Sequence, residues 1–183
     1  MTVNSVDTLD DRSVLLAVQY LAEDLQQGEP AVVRSEAEAR QVICSLLTQT
    51  HVSSTAPEAL LPTEPAALAA ARRALSALGD DADTREMTAQ LLAEPPEDEQ
   101  MSVEAALAST SVLVLLITWL QTKVELRIRR KGGKTEVDFT IGKQAADART
   151  LREIAMGMRS VLGLPAAPAP PNQEPDQGAP PAP

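Results

Sequence analysis

Lys123-Val-Glu-Leu-Arg-Ile-Arg-Arg-Lys-Gly-Gly-Lys-Thr-Glu-Val-Asp-Phe-Thr-Ile141 alternates apolar and charged residues on both sides of two adjacent glycines. An alternation of period two gives an extended strand one apolar face and one charged face. Gly132-Gly133 accepts the positive φ angles that a two-residue hairpin turn requires. Centring the turn on these glycines fixes the register, because paired residue numbers must then sum to 265. Ile128 then faces Val137, Leu126 faces Phe139 and Val124 faces Ile141, all on one side. On the other side Arg129 meets Glu136, and Arg127 meets Asp138. A slip of one residue destroys both patterns, so the sequence specifies an antiparallel β-hairpin.

Upstream, Ala105 to Leu120 is a run of sixteen residues without a charge, and Val112-Leu-Val-Leu-Leu-Ile117 is apolar at six consecutive positions. At 100° per residue, six positions go right round a helix and leave no face for water. The segment Val112, Leu113, Val114, Leu115, Leu116, Ile117, Trp119 and Leu120 must therefore be buried in protein, in a partner or in a bilayer. Sixteen residues span about 24 Å, short of a hydrocarbon core of about 30 Å. Ser109, Thr110, Ser111 and Thr118 also argue against lipid, whereas Trp119 and the cations after it fit a cytoplasmic flank. A buried helix, a membrane span over residues 105–122 and a central strand all stand at this point.

Downstream of the hairpin, Leu151, Ile154, Ala155, Met158, Val161 and Leu162 follow helical spacing, with Asp147 as a candidate cap and Gly163 as the end. This helix is the nearest candidate to cover the hairpin's apolar face, because an isolated hairpin is marginal in water. Residues 103–163 thus read as helix–hairpin–helix. The very hydrophobic helix, the basic-edged hairpin Val124-Glu-Leu-Arg-Ile-Arg-Arg-Lys-Gly-Gly-Lys-Thr-Glu-Val-Asp-Phe139 and the short final helix resemble the effector-associated constant component family of bacterial conflict systems. The likeness covers residues 103–162. It implies a non-enzymatic partner of caspase-like or trypsin-like effectors and signalling ATPases, and it implies no site residues.

The first hundred residues read as four amphipathic helices. Val14, Val18, Leu21 and Leu25 form one stripe, widened by Leu15, Ala17 and Ala22, with Gly28 and Pro30 as the stop. Ser35-Glu-Ala-Glu38 fits a capping box that opens a helix carrying Ala39, Val42, Ile43, Leu46 and Leu47 and ending near His51. Thr63 caps an alanine-rich helix that reaches Leu78, with Gly79 just past its end. Asp83 is a candidate cap for a fourth helix reaching Leu91 and Leu92.

Charge divides the chain unevenly. Of the net charge of −10 over 183 residues, residues 1–100 carry −12, residues 101–164 carry +4 and residues 165–183 carry −2. Such contrast suggests modules with different surfaces. The expected organisation is an acidic helical bundle (1–94), an acidic Pro-containing linker (95–102), the helix–β-hairpin–helix module (103–163) and a Pro/Ala-rich tail (164–183). The fold class is α+β, and the tail, too poor in apolar residues to bury a core, is expected to be disordered. On this reading, a break within Pro95–Gln100 leaves a soluble helical fragment 1–94.

Composition also excludes function classes. One cysteine and one histidine provide neither a disulfide framework nor a Cys-rich metal site. The N-terminus has no basic n-region, which argues against a secretory signal. Cys44 and His51, seven residues apart, are about 10.5 Å apart along a helix, too far for a catalytic pair. Gly132-Gly133 is a turn and not a phosphate loop, and Asp80-Asp-Ala-Asp83 lacks calcium-loop spacing. No catalytic, cofactor-binding or metal-ligating constellation emerges, and none is expected. The basic cluster Arg127, Arg129, Arg130, Lys131 and Lys134 is the one candidate interaction surface. Glu136 and Asp138 partly neutralise it and no aromatics interleave, which disfavours nucleic acid. The sequence therefore points to a cytoplasmic, bacterial, non-enzymatic adaptor or regulatory subunit. Its partners would be proteins, an effector or signalling protein or a second copy. The alternative is a single-pass membrane-tethered sensor or anchor in the inner membrane, with its C-terminal module in the cytoplasm.

Overall fold

From Ala108 the uncharged run is a helix enclosed by other helices. The structure, a computed structural model, describes residues 6–26, 33–95, 108–131, 134–141 and 144–166. In chain order its elements are α1 (Asp11–Gln26), α2 (Glu36–Gln49), α3 (Glu64–Asp80), α4 (Arg85–Ala93), α5 (Ala108–Lys123), β1 (Glu125–Lys131), β2 (Lys134–Ile141), β3 (Gln144–Ala145) and α6 (Ala148–Leu162). Short 3-10 turns lie at Val6–Thr8 and Pro57–Ala59. The class is α+β, mostly helical, with one antiparallel sheet in the order β1-β2-β3. The Gly28–Pro30 stop, the Gly132-Gly133 turn, most of the acidic linker and the tail from residue 167 lie outside the described residues.

Helix α5 packs against α1, α2 and α3. Val112, Leu113, Leu115, Leu116, Ile117 and Leu120 are buried, and Val114 and Trp119 are half-buried. Protein, not lipid, therefore surrounds the apolar circumference. Among the described residues no helix is long and apolar enough to cross a membrane, which does not favour the span considered for residues 105–122. Each neighbour presents the stripe its sequence encodes, including Ala67, Ala70, Ala71 and Ala74 of α3, all fully buried. Their short side chains let helix backbones approach closely. Buried residues from both sides of the Pro95 region join one hydrophobic core.

Polar contacts along α5 fix its direction. Gln19 Nε2 donates to Ser111 Oγ at 3.2 Å and Gln26 Nε2 to Thr118 Oγ1 at 3.4 Å, so α1 and α5 run in the same sense. At the start of α5, Thr110 Oγ1 donates to Glu36 Oε2 at 2.8 Å, and Ser109 Oγ donates to the Leu61 carbonyl, just before α3, at 3.3 Å. At its end, Lys123 meets Asp81, just after α3. Beyond it, Val137 of the hairpin accepts from Gln49, the last residue of α2. Helices α2 and α3 thus also run with α5. Aligned helix dipoles repel, and the first turns offset this with Asp11, Glu36, Glu38 and Glu64, while Lys123 sits in the last turn of α5.

Local signals set most helix ends. Ser35 Oγ accepts from the Glu38 amide at 3.2 Å, and Glu38 reaches back to the Arg34 amide at 2.7 Å. Thr63 Oγ1 accepts from the Ala66 amide at 3.4 Å. Gly163 ends α6 at a φ of 67°, where Arg73 Nε donates 2.7 Å to the Val161 carbonyl. Three expectations are corrected. Gly79 lies inside α3, not beyond it. Thr84, not Asp83, occupies the cap position of α4, and its hydroxyl donates to the Leu78 carbonyl at 2.6 Å. Helix α6 packs mainly on α3 and α2, while α2 and α5 support the hairpin.

The hairpin keeps the register written in its sequence, from Glu125↔Thr140 through Leu126↔Phe139 and Ile128↔Val137 to Lys131↔Lys134. Leu126, Val137 and Phe139 are buried, and Ile128 is half-buried. Val124 is buried just ahead of β1, and Ile141 pairs onward with Gln144.

Two outcomes follow from α5 being central. Leu115→Ala should lower unfolding free energy by about 2–5 kcal/mol in urea denaturation, and Leu115→Arg should leave no folded protein. Fragment 1–94, deprived of the helix its stripes enclose, should lose most of its helical circular dichroism relative to the full chain. A cooperatively melting 1–94 fragment would contradict this packing.

Candidate interaction surface

The charged face of the hairpin is displayed rather than buried. Glu125, Arg127, Arg129, Glu136 and Asp138 are all exposed. The alternation that turns Leu126 and Phe139 inward must turn these five outward. Arg127 donates through Nε (3.0 Å) and Nη2 (2.8 Å) to Glu125 Oε1 on its own strand. Arg129 Nε lies 3.6 Å from Asp138 Oδ2. The directly opposed pairs Arg127–Asp138 and Arg129–Glu136 are thus replaced by one pair along the strand and one diagonal pair, although the register holds. Diagonal neighbours remain within reach of a side chain as long as arginine. Arg130, Lys131 and Lys134 lie on the same ladder, with Arg130↔Thr135 and Lys131↔Lys134 as partners, but their side chains fall outside the described residues.

At the base of the hairpin, Lys123 closes α5 against the α3–α4 turn. Its Nζ donates to Asp81 Oδ1 at 3.0 Å and also bonds Asp83 Oδ2. Asp81 in turn accepts from the Asp83 amide at 3.0 Å. Burial pushes the Asp81 carboxyl up, but the Lys123 hydrogen bond, the Asp83 amide and the Lys123 charge outweigh it, so the group titrates below its usual range. Burial pushes Lys123 down, and the two aspartates more than reverse this. The acidic Asp80-Asp-Ala-Asp83 segment is therefore a clasp for one lysine. Local reading, which sees only a helix cap, misses it because its partner is about forty residues away in sequence.

Cys44 lies in the core, and its thiol is pushed up to about 11 by burial first and by the Glu58 charge second, with Arg40 opposing. A thiol held protonated at neutral pH is a poor nucleophile. His51 lies past the end of α2 at a φ of 54° and is exposed, so it does not share a helix face with Cys44. Among the described residues no group of His, Cys, Asp or Glu could hold a metal ion.

The clasp makes stability depend on pH in two directions. The lowered Asp81 contributes above its ordinary value of 3.8, and that contribution is lost as pH falls through the folded-state value. The raised Lys123 contributes below its ordinary 10.5 and is lost as pH rises through its folded-state value. Lys123→Met should therefore cost roughly 0.5–1 kcal/mol near neutrality and progressively less toward both extremes, measured by thermal melts across pH.

No protein-family model, curated protein or solved structure matches the chain.

Proposed function

We propose that the protein is a non-enzymatic adaptor or regulatory subunit acting through protein–protein contacts in a bacterial defence or conflict system, with the solvent face of the hairpin as a contact surface. The observation that carries this reading is that the hairpin's charges are ordered but contribute little to the fold. In Arg127–Glu125 the side chains keep 59% and 48% of their surface, and in Arg129–Asp138 they keep 70% and 52%. Exposed pairs of this kind contribute about 0–1 kcal/mol. The five-residue pattern is thus available for recognition.

Two cations on β1 set against two carboxylates on β2, in a fixed register, suit a protein surface of complementary charge, where charge sets orientation and on-rate. A phosphate backbone would favour cations alone. The resemblance of residues 103–162 to the effector-associated constant component family supports an effector or signalling protein as the partner, and this reading sets the protein in the cytoplasm.

The test is Arg127→Glu/Arg129→Glu in the full chain. The variant should melt within a few degrees of wild type, because only exposed pairs change. Wild type should recover a stoichiometric protein partner from its host at low salt, and the variant should bind that partner at least about tenfold more weakly. Equal binding by the variant, or recovery of nucleic acid in place of protein, would overturn the proposal.

A further inference from the structure

Among the described residues only two large hydrophobic side chains are exposed, Tyr20 at 41% and Met156 at 45%. Tyr20 lies in a groove of about 500 Å³ between α1 and α4. Met87 and Leu91 line the same groove, and Glu23, Asp24 and Glu94 supply three carboxylates. None of its lining residues is basic. Met87 and Leu91 stand one turn apart on α4, and Glu94 caps the end of that helix.

Met156 stands on the outer face of α6, flanked at i−4 by exposed Arg152 and at i+3 by half-buried Arg159, with exposed Arg149 one turn further back. Arg152 and Arg159 lie about 10.5 Å apart along α6 with Met156 between them. Glu153 holds Arg149 at 3.1 Å, which leaves a net charge of +2 on this ridge of three arginines and one glutamate. The core side of α6 is fixed against α3 and α2, so its outer ridge cannot turn into the groove of its own chain.

From this complementarity we infer that the groove receives the α6 ridge of a second copy of the chain. Met156 enters beside Tyr20 and Met87, while Arg152 and Arg159 meet Glu23, Asp24 and Glu94. One contact then covers both exposed hydrophobics and pairs opposite charges around them. The chain's own Met101–Leu107, which lies outside the described residues, carries Glu104 and follows Glu97-Asp98-Glu99, the wrong sign for this rim. The two patches differ, so association is head to tail. A single ridge in a single groove is smaller than a standard interface, and the assembly is accordingly weak and salt-sensitive. The contact uses neither strand of the hairpin and is independent of the function proposed above.

The experiment uses the full chain with two exposed-site variants, Tyr20→Arg/Glu94→Arg in the groove and Arg152→Glu/Met156→Glu on the ridge. Sedimentation velocity over a concentration series should show wild type above its monomer mass of 19.4 kDa at about 0.05 M salt, reverting toward monomer at about 0.5 M. Each variant alone, with an unchanged melt, should need at least about tenfold higher concentration to associate. Their equimolar mixture offers an intact ridge to an intact groove, and should associate at concentrations where neither variant does alone. A wild type that stays monomeric at low salt, variants that associate like wild type, or a mixture that fails to pair would each overturn the inference.

Discussion

The need to enclose α5 organises everything else. A helix with Val112 to Ile117 apolar in succession has no face that water can occupy at low cost. Three helices are the practical minimum to cover such a cylinder, and α1, α2 and α3 supply them. Because α2 and α3 both run in the same sense as α5, the connection between them must return along the length of the bundle. The segment from Thr50 to Thr63 does so visibly, with the Glu58 carbonyl close to Arg40 at 3.5 Å. Acids in the first turns and Lys123 at the last turn of α5 counter the dipoles that this arrangement aligns.

The elements were legible where the information is local. The hairpin register could be read because period-two alternation and a turn gave two independent constraints with one common solution. Helix stripes were legible for the same reason, and Ser35, Thr63 and Gly163 mark ends through contacts within a few residues. The union of the two halves into one core was hidden. Charge contrast describes surfaces, and an acidic exterior on α1–α4 says nothing of what their inner faces enclose. An all-round apolar helix next to a charged bundle was itself the signal that the bundle had something to bury.

Non-local electrostatics were the other gap. The sequence offered Asp83 only as a helix cap, whereas in the fold it bonds Lys123 and Thr84 takes the cap position. Lys123 ends a buried helix, and its ammonium is kept paired by Asp81 and Asp83. Arg127 and Arg129 were correctly placed on the outer face, yet their partners shifted because a long side chain on a twisted ladder can choose among several carboxylates. Tyr20 was illegible, since one aromatic at the edge of a leucine stripe normally belongs to the core.

The groove beside α1 and α4 carries Glu23, Asp24 and Glu94, whereas the outer ridge of α6 carries Arg149, Arg152 and Arg159 against Glu153. A head-to-tail contact needs two unlike patches on one chain, whereas a two-fold contact needs one patch that complements itself. An acidic groove opposite another acidic groove would repel, and so would two arginine ridges. Segregated charge therefore favours the heterologous geometry over the symmetric one and leaves the hairpin face open in each copy. On that inferred geometry, each copy would present one hairpin along an assembly, and weak individual contacts would gain strength through multiplicity.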